Sequence, residues 1–250
     1  PGEAAFVQPV TDRVLDHTCT LLASLRLGNP QLSPSLSIWQ PPYQVVYALL
    51  DALKLINSDE QPVPEVTRDF LEMTRGDALA WLVNGWRQSA IFNELRLTPG
   101  LVCEGAWHND PLTAREHILV WMSAVPEGTW WNLDSFIQAI YENEPDFQRP
   151  VGDFDTWLIR DAASGEPLSG FRHWNQVDGA LIRYLICGPF HWLGLVDLAS
   201  PAQNTPPTGF RFSAWAEQLM LGQQISELNK EDQPLGVTFD GTLTADVHTP

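Results

Sequence analysis

Cations are scarce in this chain. Its 250 residues hold 14 Lys and Arg against 31 Asp and Glu, a formal charge of −17. Phosphate contacts need clustered Lys and Arg, so this balance argues against free-standing, charge-driven binding of nucleic acid. It also disfavours an anionic membrane surface. Long apolar runs are missing too: none approaches the ~20 residues of a membrane span. The basic start, apolar centre and small-residue cleavage site of a signal peptide are not present. Cysteine is sparse. Cys19, Cys103 and Cys187 are odd in number and far apart, which fits reduced thiols in a cytoplasmic protein and not a disulfide framework. The sequence opens on Pro1, not Met, and is read as a fragment.

The common catalytic signatures are also missing. GxxxxGK, GxGxxG, GxSxG and HExxH occur nowhere, which removes the most recognisable enzymes. Thr238-Phe239-Asp240-Gly241-Thr242 imitates a haloacid-dehalogenase signature. Thr238 stands where that chemistry needs a nucleophilic carboxylate, so the segment reads as an Asp-Gly turn. Cys103 with His108, and Cys187 with His191, offer metal-ligand types without the tight spacing of zinc knuckles. Cys187 sits among apolar residues, as a small hydrophobe does. No metal and no cofactor is expected. The acids Glu142, Glu144, Asp146, Asp153 and Asp155, with Trp157 and Trp174 nearby, invite comparison with a sugar site. Their polar, Pro- and Gly-flanked setting reads as a solvated loop instead.

What is present is enough apolar material for a core. Hydrophobic residues make up 44% and charged residues 18%, the balance of a folded chain. The first helix spans about 11–25, and residues 29–34 break it. Pro41-Pro42 opens a second helix with Val46, Leu49, Leu50 and Leu53 on one face. Leu55-Ile56 and Pro62-Val63 flank a polar turn, and Val66, Phe70 and Leu71 begin another helix. Thr74 and Asp77 have capping-box spacing ahead of Leu79, Leu82, Val83 and Trp86.

In the second half, Asp110 caps a helix carrying Ala114, Ile118, Trp121 and Met122. Asn132 caps the next, with Leu133, Phe136, Ile137 and Ile140. A hairpin is expected from 156–159 to 167–170, turning at 162–165. A third helix is expected over 175–187, stopping at Gly188-Pro189. A strand at 193–198, a loop at 200–208, a strand at 210–212 and a helix near 215–221 follow. This is the order of a winged-helix unit, with the loop as wing. Leu53-Lys54-Leu55-Ile56 matches Leu193-Gly194-Leu195-Val196, and the spacing to the next helix makes the second wing nine residues longer. The expected fold is therefore mainly α with small β wings (α+β), in tandem winged-helix-like units. The expected divisions are 1–73, a connecting helix and linker at 74–105, a second unit at 106–222, and the start of a further domain at 235–250. Of the eleven tryptophans, Trp81, Trp86, Trp121, Trp192 and Trp215 fall on apolar periodicities and are read as core.

The third helix carries the functional reading. A DNA-reading winged helix presents Arg, Lys, Asn or Gln here. In this helix Val177, Leu181, Tyr184 and Leu185 form one apolar face, and Ile182 and Ile186 a second. A helix apolar nearly all round is covered on both sides, so Ile182 and Ile186 are expected to be covered by protein, either the N-terminal unit or another chain, and are the candidate partner surface. Candidate DNA contacts are Arg172, Asn175, Gln176 and Arg183. The wing carries no Lys or Arg.

Four stretches also carry a resemblance. They are Thr129-Trp130-Trp131-Asn132-Leu133-Asp134-Ser135-Phe136, Pro145-Asp146-Phe147-Gln148-Arg149-Pro150, Asp155-Thr156-Trp157-Leu158-Ile159-Arg160-Asp161, and Gly188-Pro189-Phe190-His191-Trp192-Leu193-Gly194-Leu195-Val196-Asp197. They resemble bacterial helicase-associated proteins, in which tandem winged-helix units precede a region similar to the N-terminal domain of XPB-type DNA helicases. The resemblance covers roughly 74–250. It implies a setting in DNA transactions and no catalytic residues. The expectation is a non-enzymatic interaction or scaffold module, partnered by another protein or by a neighbouring domain of its own longer chain. The alternative is a DNA-binding transcriptional regulator that uses the third helix.

Overall fold

The computed structural model describes residues 6–28 and 39–228, with the backbone of two short strands at 236–237 and 243–244. The described residues form an α+β structure with nine α-helices and small antiparallel sheets. The expected break at 29–34 and the turn at Asp240-Gly241 lie outside them. The strands beside that turn, β7 (Gly236–Val237) and β8 (Leu243–Thr244), pair antiparallel.

The N-terminal half holds β1 (Phe6–Gln8), α1 (Arg13–Arg26), α2 (Tyr43–Ala52) and α3 (Pro64–Leu71). Where a first wing is expected, the described residues hold only an isolated bridge between Ile56 and Pro62. Helix α4 (Arg75–Gln88) follows and is capped as its spacing predicts: the Thr74 hydroxyl accepts from the Asp77 amide at 3.2 Å. Leu79, Leu82, Val83 and Trp86 are buried. Helix α4 packs against α1 and α2 and also against α6 and α9 of the second half. It is therefore the core element common to both halves.

The second half begins with α5 (Glu94–Leu97) and β2 (Leu101–Glu104), then α6 (Pro111–Met122), β3 (Trp131–Asn132) and α7 (Leu133–Asn143). Asp110 and Asn132 cap α6 and α7 through Leu112, Thr113 and Ser135 amides. The expected hairpin exists in shorter form. β4 (Leu158–Asp161) meets the return segment at Pro167, and β2 adds on its other side. Helix α8 (Trp174–Leu185), β5 (Val196–Ser200), β6 (Gly209–Phe212) and α9 (Ala216–Met220) complete the unit. β3, β6 and β5 lie side by side, and β1 joins the far edge of β5. Two strands thus cross the expected divisions: β1 leaves the first segment, and β2 leaves the linker.

Gly188-Pro189 does not stop the third helix. The chain widens into a π-turn over Ile186–Phe190, kinks at Gly188 and continues to Trp192. A proline inside a helix lacks its amide and collides with the preceding turn, and the wider turn makes room for it. The true stop is Gly194, with φ +87°. A Cβ there would lie 3.0 Å from Trp215 and 3.1 Å from Leu219. Glycine is therefore required both by the backbone and by the close approach of α9.

One charged group helps to organise the core. Arg115 lies at a stripe position of α6 and is 0% exposed. It forms a two-pronged pair with Glu94 at 2.7 and 3.0 Å and donates to the carbonyls of Arg87, Ser89 and Phe92. The indole of Trp86 also donates to Glu94, at 2.9 Å. This network fixes the turn from α4 into α5. Every oxygen and nitrogen in it has a partner, the condition for burying an ion pair without a large penalty.

Candidate functional site

Helix α8 starts after a tight turn at Phe171–His173 and packs against α5 and α7. Its burial decides between the two covers expected for its second apolar face, this chain or another. Ile182 and Ile186 are both 0% exposed, so no partner can reach them. The second apolar face does need a cover, but this chain's own helices provide it.

The candidate DNA contacts Arg172, Asn175, Gln176 and Arg183 are all exposed. The structure divides them into two groups. Arg172 donates to His173 Nε2 at 2.9 Å, and His173 Nδ1 lies 2.6 Å from the Gln176 side-chain oxygen, forming a small chain at the start of α8. Asn175 and Arg183 instead line a groove between α7 and α8, with Thr98 and Pro99 also in its lining. Its volume is about 570 Å³, within the usual range of ligand pockets. Arg183 crosses it to pair with Asp134 of α7. Both partners are exposed, so the pair is worth under about 1 kcal/mol. It still neutralises the helix's one cation locally.

The rest of the groove is mostly apolar, with Ile137, Gly179, Ala180, Tyr184 and Cys187 among its lining residues. Burial pushes the Cys187 thiol up to about 11, so it stays protonated and unreactive at neutral pH. Burial, with the Glu94 carboxylate close by, also drives the Tyr184 phenol well above its ordinary range. Asp134, Thr98 and Pro99 were not singled out by sequence reasoning. Gly179, in mid-helix where an ordinary side chain would narrow the groove, was the one available signal.

The remaining sequence candidates do not come together. Among the described residues no three His, Cys, Asp or Glu side chains are grouped to hold a metal. The Nδ1 of His191 lies 2.8 Å from the Val196 carbonyl. The tryptophan platform is already occupied. Trp107 stacks on Trp157 at 5.0 Å, Arg96 lies 4.6 Å from Trp107, and Arg149 lies 4.2 Å from Trp157. Each indole is flanked by two planar groups, which leaves ring edges and no open face for a sugar or base. Trp174 is buried, and its indole donates to the Pro145 carbonyl at 2.8 Å. No helix among the described residues is long and apolar enough to cross a membrane. No protein-family model, no curated protein and no solved structure matches the chain.

Proposed function

We propose that the chain is a non-enzymatic, helicase-associated module of tandem winged-helix units that acts by protein contact in DNA transactions. Support for the fold reading comes from the element order α6, β3, α7, β4, α8, β5, loop, β6, with β3 beside β6 beside β5 and β4 paired elsewhere, with β2. Apart from the β4 segment inserted before α8, this order is compatible with a winged-helix unit, in which α8 would take the recognition-helix position. The observation that carries the functional reading is the state of α8. Both its apolar faces are buried, and its only basic residue is paired with Asp134. The wing at 200–208 is uncharged. A winged helix in this state offers DNA almost no phosphate contacts, whereas its groove offers a protein an apolar floor beside an ion pair.

Titration of labelled duplex near ~150 mM salt tests the reading. Binding no tighter than the non-specific range of ~10⁻⁴ to 10⁻⁶ M agrees with it. Submicromolar binding that Arg183→Glu abolishes would favour the DNA-regulator alternative instead.

A further inference from the structure

A second groove, of about 660 Å³, runs between α1 and α3. Outward rows of the two helices line it. Cys19, Ala23 and Arg26 of α1 are exposed at i, i+4 and i+7, and Pro64, Arg68 and Leu71 of α3 are exposed at the same spacing. Cys19 and Ala23 are small, which leaves room between the rows. Leu71 is 56% exposed. Apolar side chains left in water along such a groove are what an amphipathic helix covers in a helix-in-groove contact. Helix α3 has eight residues and is about 12 Å long, enough for about two turns of such a helix.

The charge of the groove says what that helix carries. Arg26, Arg68 and Glu72 are its charged lining residues, two cations to one acid in a chain with 14 cations to 31 acids. Arg26 has no ion pair and no side-chain hydrogen bond among the described residues. Arg68 lies 3.5 Å from Asp69 and 4.0 Å from Glu72, with all three side chains mostly exposed, so these contacts are weak. The second half has a groove at the matching place. Val63 and Ser213 are equivalent, since their amides return to Leu55 and Leu195. Counted from them, Pro62, Pro64, Thr67 and Arg68 match Phe212, Ala214, Glu217 and Gln218, which line a smaller groove of about 340 Å³ beside α9. The charged residues in that lining are Glu127 and Glu217, with no Lys or Arg. The groove thus recurs with the fold, and only the first copy is basic.

We propose that the groove between α1 and α3 receives an acidic amphipathic helix of a protein partner. Its apolar stripe covers Ala23 and Leu71, and its carboxylates pair with Arg26 and Arg68. This contact surface is additional to that of α8 and stands whether or not α8 meets DNA. The chain's charge of −17 opposes an acidic partner at long range. At physiological salt that field is screened within about 8 Å, so the two arginines at the groove decide the contact.

Calorimetric titration of the whole chain with the helical peptide acetyl-AELLEELLEALE-amide tests the proposal. The uncharged acetyl-AQLLQQLLQALQ-amide and dodecanoate are separate arms. One variant carries Arg26→Gln and Arg68→Gln, which removes both charges at exposed positions. A second, Ala23→Trp, fills the groove. Melting temperatures report whether each fold survives. The acidic peptide should bind, and both the uncharged peptide and the double variant should lower affinity about tenfold. Ala23→Trp should abolish binding. The proposal is overturned if the acidic peptide fails to bind at millimolar concentration, or if affinity is unchanged in the folded double variant. It is also overturned if the uncharged peptide or dodecanoate binds as tightly as the acidic peptide. Sedimentation of the chain alone is the last arm: a dimer that Ala23→Trp dissociates would give the groove to a second copy and overturn the proposal as well. Duplex binding is not read in these experiments, so their failure leaves the reading of α8 standing.

Discussion

Lys54 and Gly194 hold the same left-handed position in two copies of one helix exit, with φ of +58° and +87°. The next residue returns its amide to the same place in each helix, Leu55 to Leu50 at 2.9 Å and Leu195 to Phe190 at 2.7 Å. These are the bonds of a Schellman ending. The carbonyls of Leu55 and Leu195 then accept the returning chain, from Val63 at 2.9 Å and Ser213 at 3.0 Å. The match between the two halves is therefore built into hydrogen bonds as well as residue types. The return bonds make the loop from Leu195 to Ser213 ten residues longer than the loop from Leu55 to Val63, not nine.

Opposite outcomes follow at the two positions. Lysine at positive φ is strained, so Lys54→Gly should leave stability unchanged or raise it by up to about 1 kcal/mol. Gly194→Ala adds both strain and a collision with Trp215, and should cost about 1–3 kcal/mol. Urea unfolding midpoints measure both. A loss at Lys54→Gly as large as at Gly194→Ala would contradict the shared exit.

Removing Arg115 should be among the most damaging single changes. Arg115→Met leaves the Glu94 carboxylate buried and three carbonyls without donors, at a cost of about 3–5 kcal/mol. Adding Glu94→Leu should recover part of this and not all, because the carbonyls of Arg87, Ser89 and Phe92 remain unsatisfied. Equilibrium denaturation of the single and double variants checks the order.

Stability should fall in two steps on acidification. His17 and His191 have lowered pKa values, in each case chiefly because burial disfavours the charged ring. The unfolded chain takes up these protons first, at an ordinary pKa of about 6.5. Stability is thus complete above that value and declines as pH falls below it. Asp110 is held below the ordinary carboxylate range, first by the Thr113 hydroxyl and then by backbone amides. Its contribution is present above a pH of about 3.9 and is lost as pH falls through the folded-state value. Urea midpoints at pH 7.5, 5.5 and 3 follow the steps. His191→Gln should flatten the upper one.

Local chemistry was readable in advance. The caps at Thr74, Asp110 and Asn132 and the apolar stripes of α4 and α7 depend on residues a few positions apart. Arg115 was not readable, because a charged residue beside an apolar stripe gives no sign of partners 21 or more residues away. The β1–β5 pairing joins Phe6 to Ser200, far apart in the chain, and has no local signal. For Ile182 and Ile186 the pattern said that both faces of α8 are covered, and left open whether this chain or another covers them; both are buried within this chain. Gly188-Pro189 misled because a local stop signal was overridden by a helix packed on both sides, with Phe190 set edge-on against Trp86 at 5.6 Å. The Arg183–Asp134 pair spans 49 residues, so the loss of the helix's one free cation could be seen only in the fold.

The salt dependence of duplex binding tests the central claim most directly, because it counts phosphate contacts. Plotting log Kobs against log salt gives a slope of about −0.9 for each contact. With Arg183 paired to Asp134 and the wing uncharged, the slope should be no steeper than about −2, with no preference among sequences. A slope of about −5 or steeper, reduced by one contact in Arg183→Glu, would show that α8 and its wing grip DNA, and would contradict the account.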